Sequence, residues 1–340
     1  MKKKSIRRYI IICLLPVIFL SAACVGMAVS AQEYFSIGMA YYDLGRYDEA
    51  ERWLNRARQA DRTMTASQYN LGRIAFETGN FNDAARHFED ILRRDPNNIL
   101  ALRAAAYTRI RTGDIDIAEK HYYKLLSLVP ESFDDGYNHA LVLYAMERYN
   151  AAEEVLEKYP FSLLDNRDML LLYARSQKAQ GKVEAIDNYV RWLNDNSDSR
   201  VRYEYAQLLE EHELYARALE EYRQILSETI DAGSGLEKSE LHFSLARLLL
   251  IADGESGEGI TELETAISEG FSDIEAVEEL QENQNVSAAN RDRLRTIVNN
   301  MQRALEALEQ EQEQEQDYEQ FDQGYDFFPE TDPEGSYEQN

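Results

Sequence analysis

Residues 71–96 read LGRIAFETGNFNDAARHFEDILRRDP, and this stretch decides the fold. A small residue, Gly72, sits inside an apolar run. Gly79 follows, two positions before the aromatic Phe81. Ala84 and Phe88 are four apart, which places them on one face of a helix. Pro96 ends the stretch, because proline cannot continue a helix. Two helices joined by a glycine turn account for every one of these positions.

The pattern recurs on both sides. Gly38, Gly72, Ala106, Ala140 and Ala174 stand 34 residues apart, and Ala206 and Ala246 extend the column with steps of 32 and 40. A second column runs Gly45, Gly79, Gly113, Glu147, Gly181, Glu213. A third is Ala50, Ala84, Ala118, Ala152, Ile186, Ala218, and a fourth is Leu54, Phe88, Tyr122, Leu156, Val190, Tyr222. Pro96 and Pro130 close two successive units.

Each column has a physical reason. The small residue lets the two helices of a hairpin approach closely. The glycine suits a left-handed turn residue that closes the first helix. Glu147 and Glu213 break that rule, so their turns should be tighter or slightly strained. The alanine opens the second helix at the crossing, and the bulky residue packs one turn further on. Pro160 shortens the fourth unit. Residues 231–235 read as a linker, and residues 252–259 (ADGESGEG) as an enlarged solvated turn. The latter is no phosphate loop, because it lacks Gly-Lys-Ser/Thr and carries acids.

These residues resemble the tetratricopeptide repeat family. Ile37-Gly38-Met39-Ala40-Tyr41 and Leu71-Gly72-Arg73-Ile74-Ala75 are similar to its Leu-Gly-x-x-Tyr core, and Ala84, Phe88 and Pro96 to its second-helix signature. The expected fold is all-α: a right-handed superhelical solenoid of antiparallel helix hairpins. About seven repeats span 32–271, and capping helices follow over 272–308. Leu294, Ile297, Met301, Leu305 and Leu308 share one face of the cap, with Ser287 as its N-cap.

The N-terminus reads as an address. Residues 1–31 hold Lys2, Lys3, Lys4, Arg7 and Arg8, no acid, then an apolar run and small residues, the order of a secretory signal. Val29-Ser30-Ala31 would place cleavage before Gln32. Two alternatives are lipidation at Cys24, after Leu20-Ser21-Ala22-Ala23, and a retained anchor, since Tyr9–Ala31 is long enough to span a bilayer. The expected location is exported: the periplasm or cell envelope of a bacterium, or a membrane attachment there through the N-terminal segment alone. Both cysteines, Cys13 and Cys24, lie in this segment. Its removal leaves 31 bases against 62 acids, a charge of −31. Such a balance speaks against a nucleic-acid surface.

At the other end, residues 309–340 carry twelve acids and no base, with Glu-Gln alternation through Gln316 and interspersed aromatics. This composition predicts a disordered acidic tail. Its chemistry also complements an Arg/Tyr groove, which raises self-contact as an expectation.

No catalytic constellation is visible. His87, His121, His139, His212 and His242 have no metal-ligand spacing, and no Gly-x-Ser-x-Gly elbow occurs. The expectation is a non-enzyme without cofactor or metal.

In the family this chain resembles, the first helix of each unit lines a concave groove for peptides. The resemblance implies Phe35, Tyr69, Arg73, Arg103, Tyr107, Arg111, Tyr137, Tyr144, Arg175, Tyr203, Phe243 and Arg247 as the groove set. Aromatics and arginines are the residue types of binding hot spots, although any one of these aromatics could instead pack between repeats. The subset that grips chaperone tails needs Lys and Asn where this chain has Phe35 and Met39, so that role is rejected. The expected function is a non-catalytic interaction scaffold or adaptor of the cell envelope with a protein or peptide partner. A lipid-anchored assembly or secretion factor is one alternative, and an envelope hydrolase with a dispersed site is another.

Overall fold

The computed structural model describes residues 29–228, 235–253 and 257–323. The expected signal up to residue 28, linker residues 231–234, turn residues 254–256 and the tail from 324 lie outside the described residues. Every regular element described is a helix. The chain divides into two compact units between Ala185 and Ile186.

The first unit stacks helix hairpins. They are α1 (Ala31–Asp43) with α2 (Tyr47–Ala60), α3 (Thr65–Glu77) with α4 (Phe81–Arg94), α5 (Ile99–Thr112) with α6 (Ile115–Leu128), and α7 (Phe133–Ala145) with α8 (Tyr149–Leu156). The short α9 (Pro160–Asp165) and α10 (Arg167–Lys178) follow. α4 and α6 stop just before Pro96 and Pro130, as expected of residues that precede a proline. At the entrance, Ser30 Oγ accepts the Glu33 N–H at 3.2 Å, and the Glu33 carboxylate accepts the Ser30 N–H at 2.7 Å. This reciprocal cap satisfies two otherwise orphaned donors of α1.

The columns do what their chemistry demands. A Cβ on Gly38 would lie 2.8 Å from Leu54 Cγ, and one on Gly72 would lie 2.6 Å from Phe88 Cε1. The small residue of each first helix therefore makes room for the bulky residue of the second. Ala50, Ala84, Ala118 and Ala152 are fully buried at the crossings. Gly45, Gly79, Gly113 and Gly181 all have φ near +70 to +80°. Glu147 and Glu213 keep the same turn at φ 58°, and they are the only non-glycine residues with positive φ among those described. Conformational strain is thus confined to the two positions where the column breaks.

In the fourth hairpin α8 is short, and the chain bends at Tyr159-Pro160. The Tyr159 ring then lies over Gly136, where a Cβ would be 2.3 Å from its Cε2. The Tyr159 hydroxyl donates to the Pro130 carbonyl at 2.9 Å.

The second unit holds α11 (Ala185–Asp195), α12 (Ser199–Glu211), α13 (Tyr215–Ser227), α14 (Lys238–Ala252), α15 (Gly257–Ser268), α16 (Ile274–Glu282) and α17 (Ala288–Gln323). The loop expected over 252–259 is shorter than its sequence suggests. α15 begins at Gly257, and Gly259 is buried against Leu250. Ser287 Oγ accepts the Asn290 N–H at the start of α17, as an N-cap should. That helix runs past Leu308 to Gln323, so residues 309–323, read from composition as disordered, are helical. Glu and Gln are strong helix formers, and an already nucleated helix extends through them easily.

Candidate functional site

The first helices of the repeats in the first unit place the expected groove residues in a ladder. Arg73 on α3 sits 4.5 Å over the Tyr42 ring of α1, and its Nη1 donates to Asn70 Oδ1 at 3.1 Å. Phe76 on α3 meets Tyr107 on α5 at 5.4 Å between ring centroids. Arg103 on α5 forks onto Asp135 on α7, Nε to Oδ1 at 2.7 Å and Nη2 to Oδ2 at 2.6 Å. Rungs of this kind repeat because side chains one period apart face each other across adjacent hairpins.

Asp135 is buried to 1% exposure and also accepts the Ser132 hydroxyl at 2.6 Å. Burial alone would raise its pKa. The Arg103 fork and the Ser132 hydroxyl outweigh that and hold it below the usual carboxylate range. Arg103 is therefore fixed at one end while its side chain stays 46% exposed. A bidentate arginine held this way loses little freedom when it meets a ligand.

The remaining groove residues divide by what they touch. Phe35 packs against the cluster around Leu54 and Leu71. Tyr69 tilts onto Phe88 at 5.4 Å, and Tyr144 meets Tyr149 edge-on at 5.1 Å. Arg111 lies 4.7 Å over Phe81. Tyr137 has a pKa raised chiefly by burial, with Asp168 reinforcing and Arg175 opposing. In the second unit, Tyr203 packs edge-on against Tyr222, and Arg247 pairs with Glu210. Phe243 is a correction. It stacks on Phe271 at 4.1 Å inside a core cluster, because the cap folds over its helix and takes the ring out of solvent.

What the first unit leaves open is narrower than the expected set. α5 exposes Ile99, Leu100 and Tyr107, and α7 exposes Phe133 and Leu141. Leu100, Arg103, Tyr107 and Arg111 form one stripe on α5 at three- and four-residue spacing, and all four are exposed. Phe133, Tyr137 and Leu141 form the matching stripe on α7. The result is a two-helix face of apolar and aromatic side chains flanked by guanidinium groups.

Several carboxylates that brace the hairpins of the first unit were not singled out from sequence. Glu89 and Asp114 bind Arg109, and Asp135 binds Arg103. Glu153, also buried, accepts from Lys182 Nζ at 2.6 Å, Gln180 Nε2 at 2.8 Å and Gln177 Nε2 at 3.0 Å. The 32-residue step from Arg103 to Asp135, close to the repeat period, was the available signal. Among the described residues no group of three or more His, Cys, Asp or Glu side chains could hold a metal ion. His87, His121 and His139 all have pKa values lowered chiefly by burial.

Paired helices at a 34-residue period, crossing at small residues and turning at left-handed positions, define a helical-repeat solenoid protein. Three family models described as tetratricopeptide repeats match residues 30–97, 69–133 and 134–163, so residues 30–163 carry tetratricopeptide repeats. Tetratricopeptide repeat proteins are in general non-catalytic protein–protein interaction scaffolds.

A protein of Treponema pallidum named as an uncharacterized lipoprotein is 27% identical over 153 residues, 45% of this chain and 78% of that protein. The protein O-mannosyl-transferase Tmtc3 of Drosophila melanogaster is 26% identical over 150 residues, 43% of this chain but only 16% of that protein's length. Among solved structures, a tetratricopeptide repeat protein of Parabacteroides merdae aligns over 74% of this chain and 98% of its own at 21% identity and TM-score 0.49. MamA of Desulfovibrio magneticus aligns over 50% and 96% at 15% identity and TM-score 0.46.

Proposed function

We propose that this protein is an interaction adaptor of the bacterial cell envelope and that it binds a protein partner on the α5/α7 face. The observation that carries the reading is the concentration of exposed large apolar side chains on these two adjacent first helices, beside an arginine locked by a buried aspartate. Tyrosine and leucine supply apolar contact area, and Arg103 and Arg111 offer donors to backbone carbonyls or carboxylates. A short amphipathic or extended peptide fits a face of this width.

The envelope location rests on the basic-then-apolar order of residues 1–31 and on the similarity to the Treponema lipoprotein. The reciprocal Ser30–Glu33 cap adds a detail. Cleavage before Gln32 would remove Ser30 and cost α1 about 1 kcal/mol of capping. The cap therefore favours a mature N-terminus upstream of Ser30, as lipidation at Cys24 or a retained anchor would give. No helix among the described residues is long and apolar enough to cross a membrane.

Two measurements test the reading. Crosslinking and mass spectrometry in native envelopes, with Tyr107→Ala/Leu141→Asp as control, should lose the partner bound by wild type. Full retention of every crosslink would reject this face. The mass of the mature N-terminus should correspond to a chain that includes Ser30, and a species starting at Gln32 would reject the anchoring part.

A further inference from the structure

We propose that the first unit carries a second docking site, a pocket for an acidic, extended peptide segment. It is built from Arg58, Arg62, Arg93 and Arg94 where the C-terminal ends of α2 and α4 meet. It lies apart from the α5/α7 face and does not depend on it. The pocket encloses about 540 Å³ and is completed by Gln68 and Asp90.

Its charge is out of keeping with the molecule. The chain has 62 acids and 36 bases. Some arginines, such as Arg73 and Arg111, rest on aromatic rings, while Arg103, Arg109, Arg202 and Arg247 each reach a carboxylate. Of the four pocket arginines, only Arg93 does, on Asp90. Arg58 donates to Asn55 Oδ1 at 3.3 Å. Arg94 donates to the carbonyls of Arg62 at 3.0 Å and Asp90 at 3.3 Å. The Arg62 guanidinium has no partner among the described residues. Three unneutralised guanidinium groups therefore converge on one pocket in a strongly acidic protein.

Helix ends do not explain this. A base in the last turn favours the helix macrodipole, yet α6, α8 and α13 have none there. The arginines are concentrated where the C-terminal ends of α2 and α4 adjoin. Guanidinium forks match carboxylates in charge and geometry. The two helices set the arginines apart, so a ligand must present several carboxylates along an extended backbone. A nucleic acid is disfavoured, because no aromatic side chain lines the pocket to stack a base, and the net charge of −26 repels a long polyanion.

The test uses the full chain and a fluorescein-labelled octapeptide of alternating Glu and Gln, followed by fluorescence anisotropy at low salt. Saturable binding that weakens with added salt is expected, with no binding of a Ser/Gln octapeptide. Arg62→Gln/Arg94→Gln should weaken binding about tenfold or more while the melting temperature holds. Arg58→Gln provides a second, milder loss should the double variant be unstable. Leu141→Asp should bind the peptide like wild type, which separates this pocket from the α5/α7 face. Four results would overturn the proposal: no saturable binding by wild type, unchanged affinity in the arginine variants, loss of binding in Leu141→Asp, or tighter binding of a single-stranded oligonucleotide of equal charge.

Discussion

The two units use the same hairpin but build different cores. In the first, buried residues fall into small clusters that repeat hairpin by hairpin, such as Ala50, Leu54, Leu71 and Ile74, then Ala84, Phe88 and Ala105. In the second, one cluster runs from Phe243 through Leu263, Phe271 and Val277 to Leu294 and Met301. The first is a stack in which each layer touches only its neighbours. In the second, the last helices close over a shared interior. Residues in equivalent sequence slots therefore carry different weight.

The sharpest test compares one slot in the two units. Phe243→Ala should cost about 3–5 kcal/mol, because the ring is buried against Phe271. Tyr69→Ala, in the equivalent slot of the first unit, should cost about 1 kcal/mol, since it removes a half-exposed ring contact. Urea unfolding of both variants measures this, and equal losses would erase the distinction between stack and cap.

Next in size is the hairpin crossing. Gly72→Ala should destabilise by about 1–3 kcal/mol, because its methyl meets the Phe88 ring. Phe88→Leu added to it should recover part of that loss. A Gly72→Ala variant as stable as wild type would show that the small column is not a packing requirement.

Acidification should act on the first unit through buried histidines. His87, His121 and His139 have folded pKa values below the ordinary 6.5, with burial the main cause. Their neutral forms contribute stability that is present above pH 6.5 and is lost as pH falls below it, because the unfolded chain then binds more protons. Thermal melts between pH 7.5 and about 5.5 should show Tm falling by a few degrees. His121→Gln should flatten the slope, since His121 Nε2 is buried without a partner. An unaltered slope in that variant would remove His121 from the account.

The smallest effect should be the same in both units. Glu147→Gly and Glu213→Gly relieve a left-handed backbone at a residue with a Cβ. Each should stabilise by about 0.5–1 kcal/mol, reduced by the entropy glycine adds to the unfolded chain. Differential scanning calorimetry would detect it, and a loss in either variant would mean that the glutamate side chain contributes more than its strain.

Much of this was legible in residue order. The four columns located the hairpins, the left-handed turns and the exceptions at Glu147 and Glu213. Those features depend on steric rules that act within a few residues. The site was legible only as a face. The sequence placed Arg103, Tyr107 and Tyr137 toward the groove, but could not tell a ligand contact from a rung between repeats. Arg103 turned out to be a rung, forked onto Asp135, and the abundance of acids hid Asp135 among many equivalent candidates. Phe243 was misplaced because its slot matches Tyr69 in sequence, while Phe271 and the capping helices that bury it lie far along the chain.

By itself, then, the sequence determined the period, the hairpin positions and the turn conformations, since each follows from local sterics repeated at a fixed step. Tertiary structure decided which charges are neutralised and which are left bare. Among the described residues, Arg103 finds Asp135 and the Arg62 guanidinium finds no carboxylate. The reason is that electrostatic pairing depends on distances across adjacent layers, which are set by how neighbouring hairpins pack, as α5 does on α7.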